Sequence, residues 1–260
     1  MRCYRAAGGT STERGMKHEV QMNVAALLTG RGNNTLKDKN ILPVLGHPLL
    51  YYPAMAAKAC DKISSFYVSS DCPKILAAAA ACGYRQIKRP PELALPTAQH
   101  VDAIIHALGE MKKDGVEPDI LVVLLANSAI VRSEWIRESI DAILADPKIS
   151  AVCPVEKDQD HHPFRAKKLR ADGCLDTFFD FRGQHISTNR QDLCDCYYLC
   201  HNFWTLNLKE SLFAKTPGQP PWSFMGNNIR PIVTEGCFDV HDMEDIRKSE
   251  EWICKNGISY

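Results

Sequence analysis

The sequence predicts an α/β domain built on a largely parallel sheet with helices on both faces. Three features carry that prediction. Residues 24–28 form an apolar run long enough for a short strand buried on both faces, and it empties into a glycine-containing loop. Residues 120–125 (ILVVLL) form a second such run. Around these two, strand and helix patterns alternate as far as Val155, the order of a parallel sheet with crossover helices.

The elements follow in turn. Residues 42–44 lead into an apolar, Ala-rich helix over 49–60, in spite of Pro53. Residues 65–70 (SFYVSS) read as a strand and 73–82 as an Ala-rich helix. Over 98–111, Val101, Ile104, Ile105 and Leu108 recur at helical spacing. Residues 134–144 are amphipathic, with Trp135, Ile136, Ile140, Ile143 and Leu144 as the apolar positions, and 151–155 form a strand. From about Asp158 the pattern changes. Residues 158–200 are polar, contain His and aromatic residues, and are weakly periodic, which reads as an inserted arm. Residues 197–206 return to a strand pattern, and 243–255 make a final helix.

Composition narrows the function classes. A chain of 260 residues, 45% hydrophobic, suits one α/β domain with an insertion. Residues 23–260 would be that domain, and the mostly polar residues 1–22 a disordered extension. With 31 basic and 31 acidic residues, no broad surface attracts nucleic acid or anionic lipid, so a polyanion site must be local. No apolar run approaches the ~20 residues of a membrane span, and the N-terminus has no signal-peptide core. Eleven cysteines at irregular spacing argue for reduced thiols and a cytoplasmic protein. Cys194, Cys196, Cys200 and His201 invite a zinc reading, but no second CxxC pair closes four ligands. Buried small hydrophobes are the preferred reading.

The loop after the first strand, Thr29-Gly30-Arg31-Gly32-Asn33-Asn34-Thr35, is followed by Lys37, Lys39 and Asn40. Glycine frees the backbone, and the cations stand where α/β proteins bind a phosphate chain, beyond the carboxyl end of a strand. It is neither GxxxxGK[ST] nor GxGxxG.

The segment from Val24 to Asn40 resembles the ARGGSKGIxxKN signature of the cytidylyltransferases that make CMP-activated acidic sugars, the CMP-N-acylneuraminate and CMP-Kdo synthetase family. The resemblance extends in matching order over roughly residues 23–254. It implies a Rossmann-like nucleotidyltransferase fold with an inserted dimerisation arm, here 158–200. It places Arg31 and Lys39 on the phosphates of CTP and Asn40 at the base, with Gly32 and Asn33 in the nucleotide loop. The loop here is one residue shorter, and the family's Ser-Lys is replaced by Asn and Thr.

Later segments resemble further motifs. Val68-Ser69-Ser70-Asp71 is similar to VSTD, although Asp71 before Pro73 reads first as a helix cap. Arg89-Pro90-Pro91-Glu92-Leu93-Ala94 is similar to RPxELA and implies Arg89 at the nucleotide. Ala126-Asn127-Ser128 stands where the family has Gln-Pro-Thr, leaving Asn127 and Ser128 to face the base. His162-Pro163-Phe164-Arg165 and Arg190-Gln191 resemble HPxK and RQ, and imply Arg165 and Arg190 on the acceptor's acid group. Cys200-His201-Asn202-Phe203-Trp204 replaces NGAIY.

Asp239-Val240-His241-Asp242 resembles DIDT, whose two alternate Asp residues hold Mg2+. On a strand Asp239 and His241 would share a face and a metal, although Mg2+ prefers oxygen. Asp242 is either a substitute ligand or the cap of the last helix. The resemblance implies an enzyme, a homodimer, which transfers CMP from CTP to a nonulosonic, sialic-type acid and releases pyrophosphate. A non-sugar acid such as a phosphonate, and a non-catalytic nucleotide-binding relative, are the alternatives.

Overall fold

The computed structural model describes residues 22–32, 35–236, 238–258 and Tyr260. The expected extension, but for Met22, and the candidate Asn33 therefore lie outside the described residues. The chain runs β1 (Val24–Thr29), a small hairpin of β2 (Pro43–Val44) and β3 (His47–Pro48), α1 (Tyr51–Lys58), β4 (Ser65–Ser70), α2 (Pro73–Ala81) and β5 (Arg85–Lys88). It continues with α3 (His100–Lys113), β6 (Ile120–Leu125), α4 (Ser133–Ala145) and β7 (Ala151–Lys157). The inserted segment carries a second hairpin, β8 (Lys167–Leu169) and β9 (Leu175–Thr177). Then come β10 (Tyr197–Leu199), β11 (Phe203–Asn207), β12 (Ile229–Val233) and α5 (Met243–Asn256).

The main sheet has the order β10-β7-β11-β6-β1-β4-β5, with β12 on β7. Its centre is parallel: β1 lies between β6 and β4, and β4 pairs β5. β11 is antiparallel to β6 and β7, and β10 is antiparallel to β7. The fold is thus the largely parallel, helix-flanked sheet that the sequence predicts.

Alternation along β1 explains the two faces. Ala26 and Leu28 pack with α1, α2 and α4 through Ala54, Ile75 and Ile140. Ala25 and Leu27 pack on the other face with α3 through Ile104, Ala107 and Met111. A strand covered on both sides has no solvent face, so it needs a continuous apolar run. α5 docks separately, burying Ile246 and Ile253 against Val44, Leu49 and Tyr52.

Three sequence expectations change. Residues 197–206 are two strands, not one. Buried Asn202 donates to Ile130 O at 3.0 Å and accepts from the Phe203 N–H at 3.0 Å, so its side chain interrupts the ladder. In α3 the buried stripe is Ala103, Ile104, Ala107 and Met111, and Ile105 is exposed. Leu144 of α4 is likewise exposed. The small residues let each helix lie close to the sheet, and the bulky neighbours turn outward. β5 and β12 escape the pattern because they lie at edges: β5 buries only Ile87, and β12 contains Pro231.

Candidate functional site

β1, β4 and β6 are parallel neighbours, so the loops leaving their carboxyl ends gather on one side of the sheet. There a cavity of about 640 Å3 opens, lined among others by Thr29, Gly30, Arg31, Lys39, Asn40 and Arg89. Across from these, His100, Asn127 and His241 complete the wall.

The β1 loop is held open by packing. A Cβ on Gly32 would come within 2.7 Å of the Cys72 Cβ, so only glycine fits. The Gly32 N–H donates to Asp71 Oδ1 at 2.9 Å. That corrects the reading of Asp71 as a helix cap: the N-cap of α2 is Cys72, and Asp71 braces the loop instead. Asn40 is buried, and its amide N–H donates to Arg31 O at 3.2 Å. Among the described residues its Oδ1 has no partner, an acceptor that costs free energy until something donates to it.

Three cations and one carboxylate set the electrostatics. Arg31 reaches Leu95 O at 3.4 Å. Arg89 is buried, its Nε donating to Ser69 Oγ at 3.2 Å and its Nη2 to Ser69 O at 2.8 Å. Burial lowers its pKa, and Asp71 offsets part of that. Burial also pulls the Lys39 ammonium below its usual value, with Asp239 opposing and Arg31 reinforcing the shift. Asp239 is displaced the other way: burial raises its pKa, while His241, Lys39 and His201 pull it back. Burial thus disfavours the charged form of both neighbours, and each charge partly restores the other.

Asp239 accepts a short hydrogen bond from the Asn127 amide, and the His241 ring Nε2 stands 3.5 Å from its other oxygen. These residues lie in irregular chain, not on a strand, yet the two side chains do meet. Asp242 is settled as a cap. Its carboxylate accepts from Glu244 N at 2.8 Å and Asp245 N at 3.0 Å, and Asp245 returns the bond in a capping box. Among the described residues no three His, Cys, Asp or Glu side chains gather into a metal cluster, and of the cysteines expected as buried small hydrophobes Cys200 is buried, Cys196 half-buried and Cys194 exposed. The donor set at Asp239 still suits Mg2+, which commonly binds one carboxylate and takes its other oxygens from phosphate and water.

Two groups of candidates lie elsewhere. Ser128 does not line the cavity; it is buried beneath, with an unpartnered Oγ. Arg165 and Arg190 meet each other's surroundings on the arm, both binding Asp160: Arg190 to its carboxylate at 2.7 Å, Arg165 to its carbonyl at 3.4 Å. Neither lines the cavity. The sequence reading also missed Thr29 and His100. The signal for His100 was a histidine in the first turn of a helix opening straight after the RPPELA segment.

The chain matches the family model described as cytidylyltransferase over residues 29–199. The N-acylneuraminate cytidylyltransferase A of Danio rerio is 26% identical over 162 residues, which are 62% of this chain and 36% of that protein. The chain therefore spans about a third of the curated relative it matches. Among solved structures, a CMP:2-keto-3-deoxy-manno-octonic acid synthetase complexed with CTP superposes with a TM-score of 0.64 and 14% identity, over 90% of this chain and 99% of that one. The 4-diphosphocytidyl-2C-methyl-D-erythritol synthase of Anaerococcus prevotii gives 0.59 and 12%, over 90% and 97%. A cytidylyltransferase of Leptospira borgpetersenii gives 0.56 and 16%, over 92% and 89%. These structures share the fold.

Proposed function

The chain belongs to the cytidylyltransferase family, and from that premise we propose that it transfers CMP from CTP to an oxygen of a nonulosonic, sialic-type acid, releasing pyrophosphate. The observation that carries the reading is the convergence of Arg31, Lys39, Arg89 and His241 on one cavity with Asp239 at its edge.

In the reaction the acceptor oxygen bonds to the α-phosphorus, the bond to the bridging oxygen of the β-phosphate breaks, and pyrophosphate leaves. Catalysis of this kind is positioning and charge neutralisation. Arg31 and Lys39 hold the triphosphate, and Lys39, half-stripped of water, interacts more strongly than a solvated ammonium. Asn127 pins the Asp239 carboxylate by its amide, leaving one oxygen toward His241. Asp239 would hold a Mg2+ ion with His241 beside it, and the ion would offset negative charge at the α-phosphate and the leaving group. His241, largely exposed beside Asp239, takes the acceptor's hydroxyl proton.

The acceptor's acid group is assigned to Arg165 and Arg190. Since these lie on the arm, the reading includes a homodimer in which the arm of one copy closes over the cavity of the other. The arm exposes Leu169 at 73% and Phe178 at 56%, apolar surface of the sort a second copy covers. A phosphonate acceptor is the second reading, favoured by one observation. Where the resembled family has Asn-Gly, Cys200 is buried and the His201 ring sits 5.1 Å from Trp222 and 5.9 Å from Trp204, so the sugar-contacting amide is replaced by an aromatic group.

Pyrophosphate release with CTP, Mg2+ and a panel of acids tests both. A sialic-type acid is expected to turn over, and turnover of a small phosphonate alone would transfer the reading to the second acceptor. Binding of CTP without turnover of any acid would leave a non-catalytic relative.

A further inference from the structure

His100 lines the nucleotide cavity from the first turn of α3, and its chemistry is fixed by a chain of hydrogen bonds. Its Nε2 lies 2.9 Å from Thr29 Oγ1. The Thr29 hydroxyl has one proton, and Leu124 O at 3.2 Å can only accept, so the proton is assigned there. Thr29 can then only accept from His100, so the imidazole carries its proton on Nε2 and Nδ1 is bare. No hydrogen bond reaches Nδ1 among the described residues. The ring also stays neutral, because burial, with Arg89 and His201 nearby, pulls its pKa down to about 4.

The cavity therefore presents acceptors where a basic pocket would be expected to present donors. Asn40 Oδ1 is one, oriented by the bond from its amide to Arg31 O and left unpartnered in a side chain only 3% exposed. His100 Nδ1 is a second. Arg89 supplies the complement: its Nε and Nη2 are spent on Ser69, and its Nη1 protons are not used there. Cytosine carries an exocyclic amino group as donor and N3 and O2 as acceptors along one edge. Uracil replaces the amino group with O4 and places a proton on N3. Two acceptors and a guanidinium lining one cavity match the first edge and oppose the second at both changed atoms.

We propose that His100, locked as the Nε2–H tautomer by Thr29, is a specificity-determining residue that accepts a hydrogen bond from the cytosine amino group and rejects uracil. The proposal rests on the nucleotide being CTP, as argued above. It assigns base selection to a histidine that the resembled motifs do not contain, and it gives the Ala126 position, where the family has Gln, a replacement for its lost amide. A uracil O4 facing His100 Nδ1 would set two acceptors against each other, and a buried polar mismatch of that sort discriminates far better than a missing methyl group.

Calorimetric titration of the full chain with CTP, UTP and the triphosphate of 2-pyrimidinone riboside, each with Mg2+, tests this. The pyrimidinone lacks only the amino group. Wild type is expected to bind CTP ~10-fold or more tightly than either analogue. His100→Leu is expected to lose that margin by weakening CTP and relieving the mismatch with UTP, and His100→Asn, which retains an acceptor, to recover part of it. Equal binding of CTP and the pyrimidinone by wild type overturns the inference without any variant, so a misfolded substitution does not shelter it. An unchanged CTP-to-UTP ratio in His100→Leu also overturns it and leaves the proposed function standing. Failure of wild type to bind CTP overturns both.

Discussion

The nucleotide cavity and the arm are built from opposite materials. The cavity hangs on β1, β4 and β6, whose side chains are almost all buried, and its functional groups are bound by named neighbours: Arg89 by Ser69, Asn127 by Asp239, Gly32 by Asp71. The arm is mostly exposed, and its two candidate arginines are held by one residue, Arg190 by the solvent-facing carboxylate of Asp160 and Arg165 by its backbone carbonyl. The difference teaches where each is complete. The cavity is pre-organised by the core of a single chain, whereas the arm leaves polar and apolar groups largely exposed. If that contrast is right, substitutions in the cavity alter nucleotide binding and those in the arm alter the acceptor.

The largest effects belong to the cavity. Arg31→Ala and Asp239→Asn are each expected to reduce pyrophosphate release by roughly a hundredfold or more, because the first removes a cation proposed to hold the phosphates and the second the carboxylate proposed to hold Mg2+. Steady-state kinetics with saturating acceptor measures it. Full activity in Arg31→Ala would break the phosphate assignment outright. Next come Arg165→Ala and Arg190→Ala. Each is expected to raise the acceptor KM by about tenfold, the loss of one or two charge-assisted bonds to a carboxylate. CTP affinity should not move, and a weakened CTP titration in either would erase the distinction between arm and cavity.

How much of this was legible depends on how each part is stabilised. β1 and β6 were readable because a strand covered on both faces must be apolar throughout, as Ala25 to Leu28 and Ile120 to Leu124 are. Arg31, Lys39, Asn40 and Asn127 were readable because they follow those strands at short spacing, Arg89 and His241 because their segments resemble motifs, and all six do meet around one cavity. His100 was not, since periodicity weighs the apolar face of a helix and ignores a polar residue at its entrance. Nor was the place of Ser128, one residue from Asn127, because a turn sends adjacent side chains to opposite sides. The arm's arrangement was hidden for a different reason: its contacts are exposed ion pairs and aromatic pairs such as Phe164 with Phe181, which leave no periodic trace.

A smaller effect sharpens the cavity side of the contrast. The pKa of His100 in the folded chain is about 4, below its ordinary 6.5. Between those values the unfolded chain binds a proton that the folded chain refuses, so His100 contributes stability that is complete above pH 6.5 and is lost as pH falls toward 4. His100→Leu should therefore lose less melting temperature than wild type over that interval, by roughly 5–15 °C, since a shift of this size is worth about 3 kcal/mol and ~1 kcal/mol moves the Tm of a chain this size by roughly 2–4 °C. Nitrogen-15 shifts should show the Nε2–H tautomer unchanged from pH 8 to 5.5.

The smallest expected effect lies in the arm. Arg190 and Asp160 form an ion pair at 2.7 Å with both side chains more than half exposed, 61% and 66%. Pairs of that kind are worth ~0–1 kcal/mol, because solvent screens the attraction and two long side chains lose freedom to make it. Arg190→Ala should accordingly leave the urea midpoint of the isolated monomer within error of wild type. It should do so even while acceptor binding falls. That combination, function lost with stability kept, is what a residue awaiting a ligand predicts. A large loss of stability would instead mean that Asp160 depends on Arg190 to hold the arm together, and the pair would be structure rather than site.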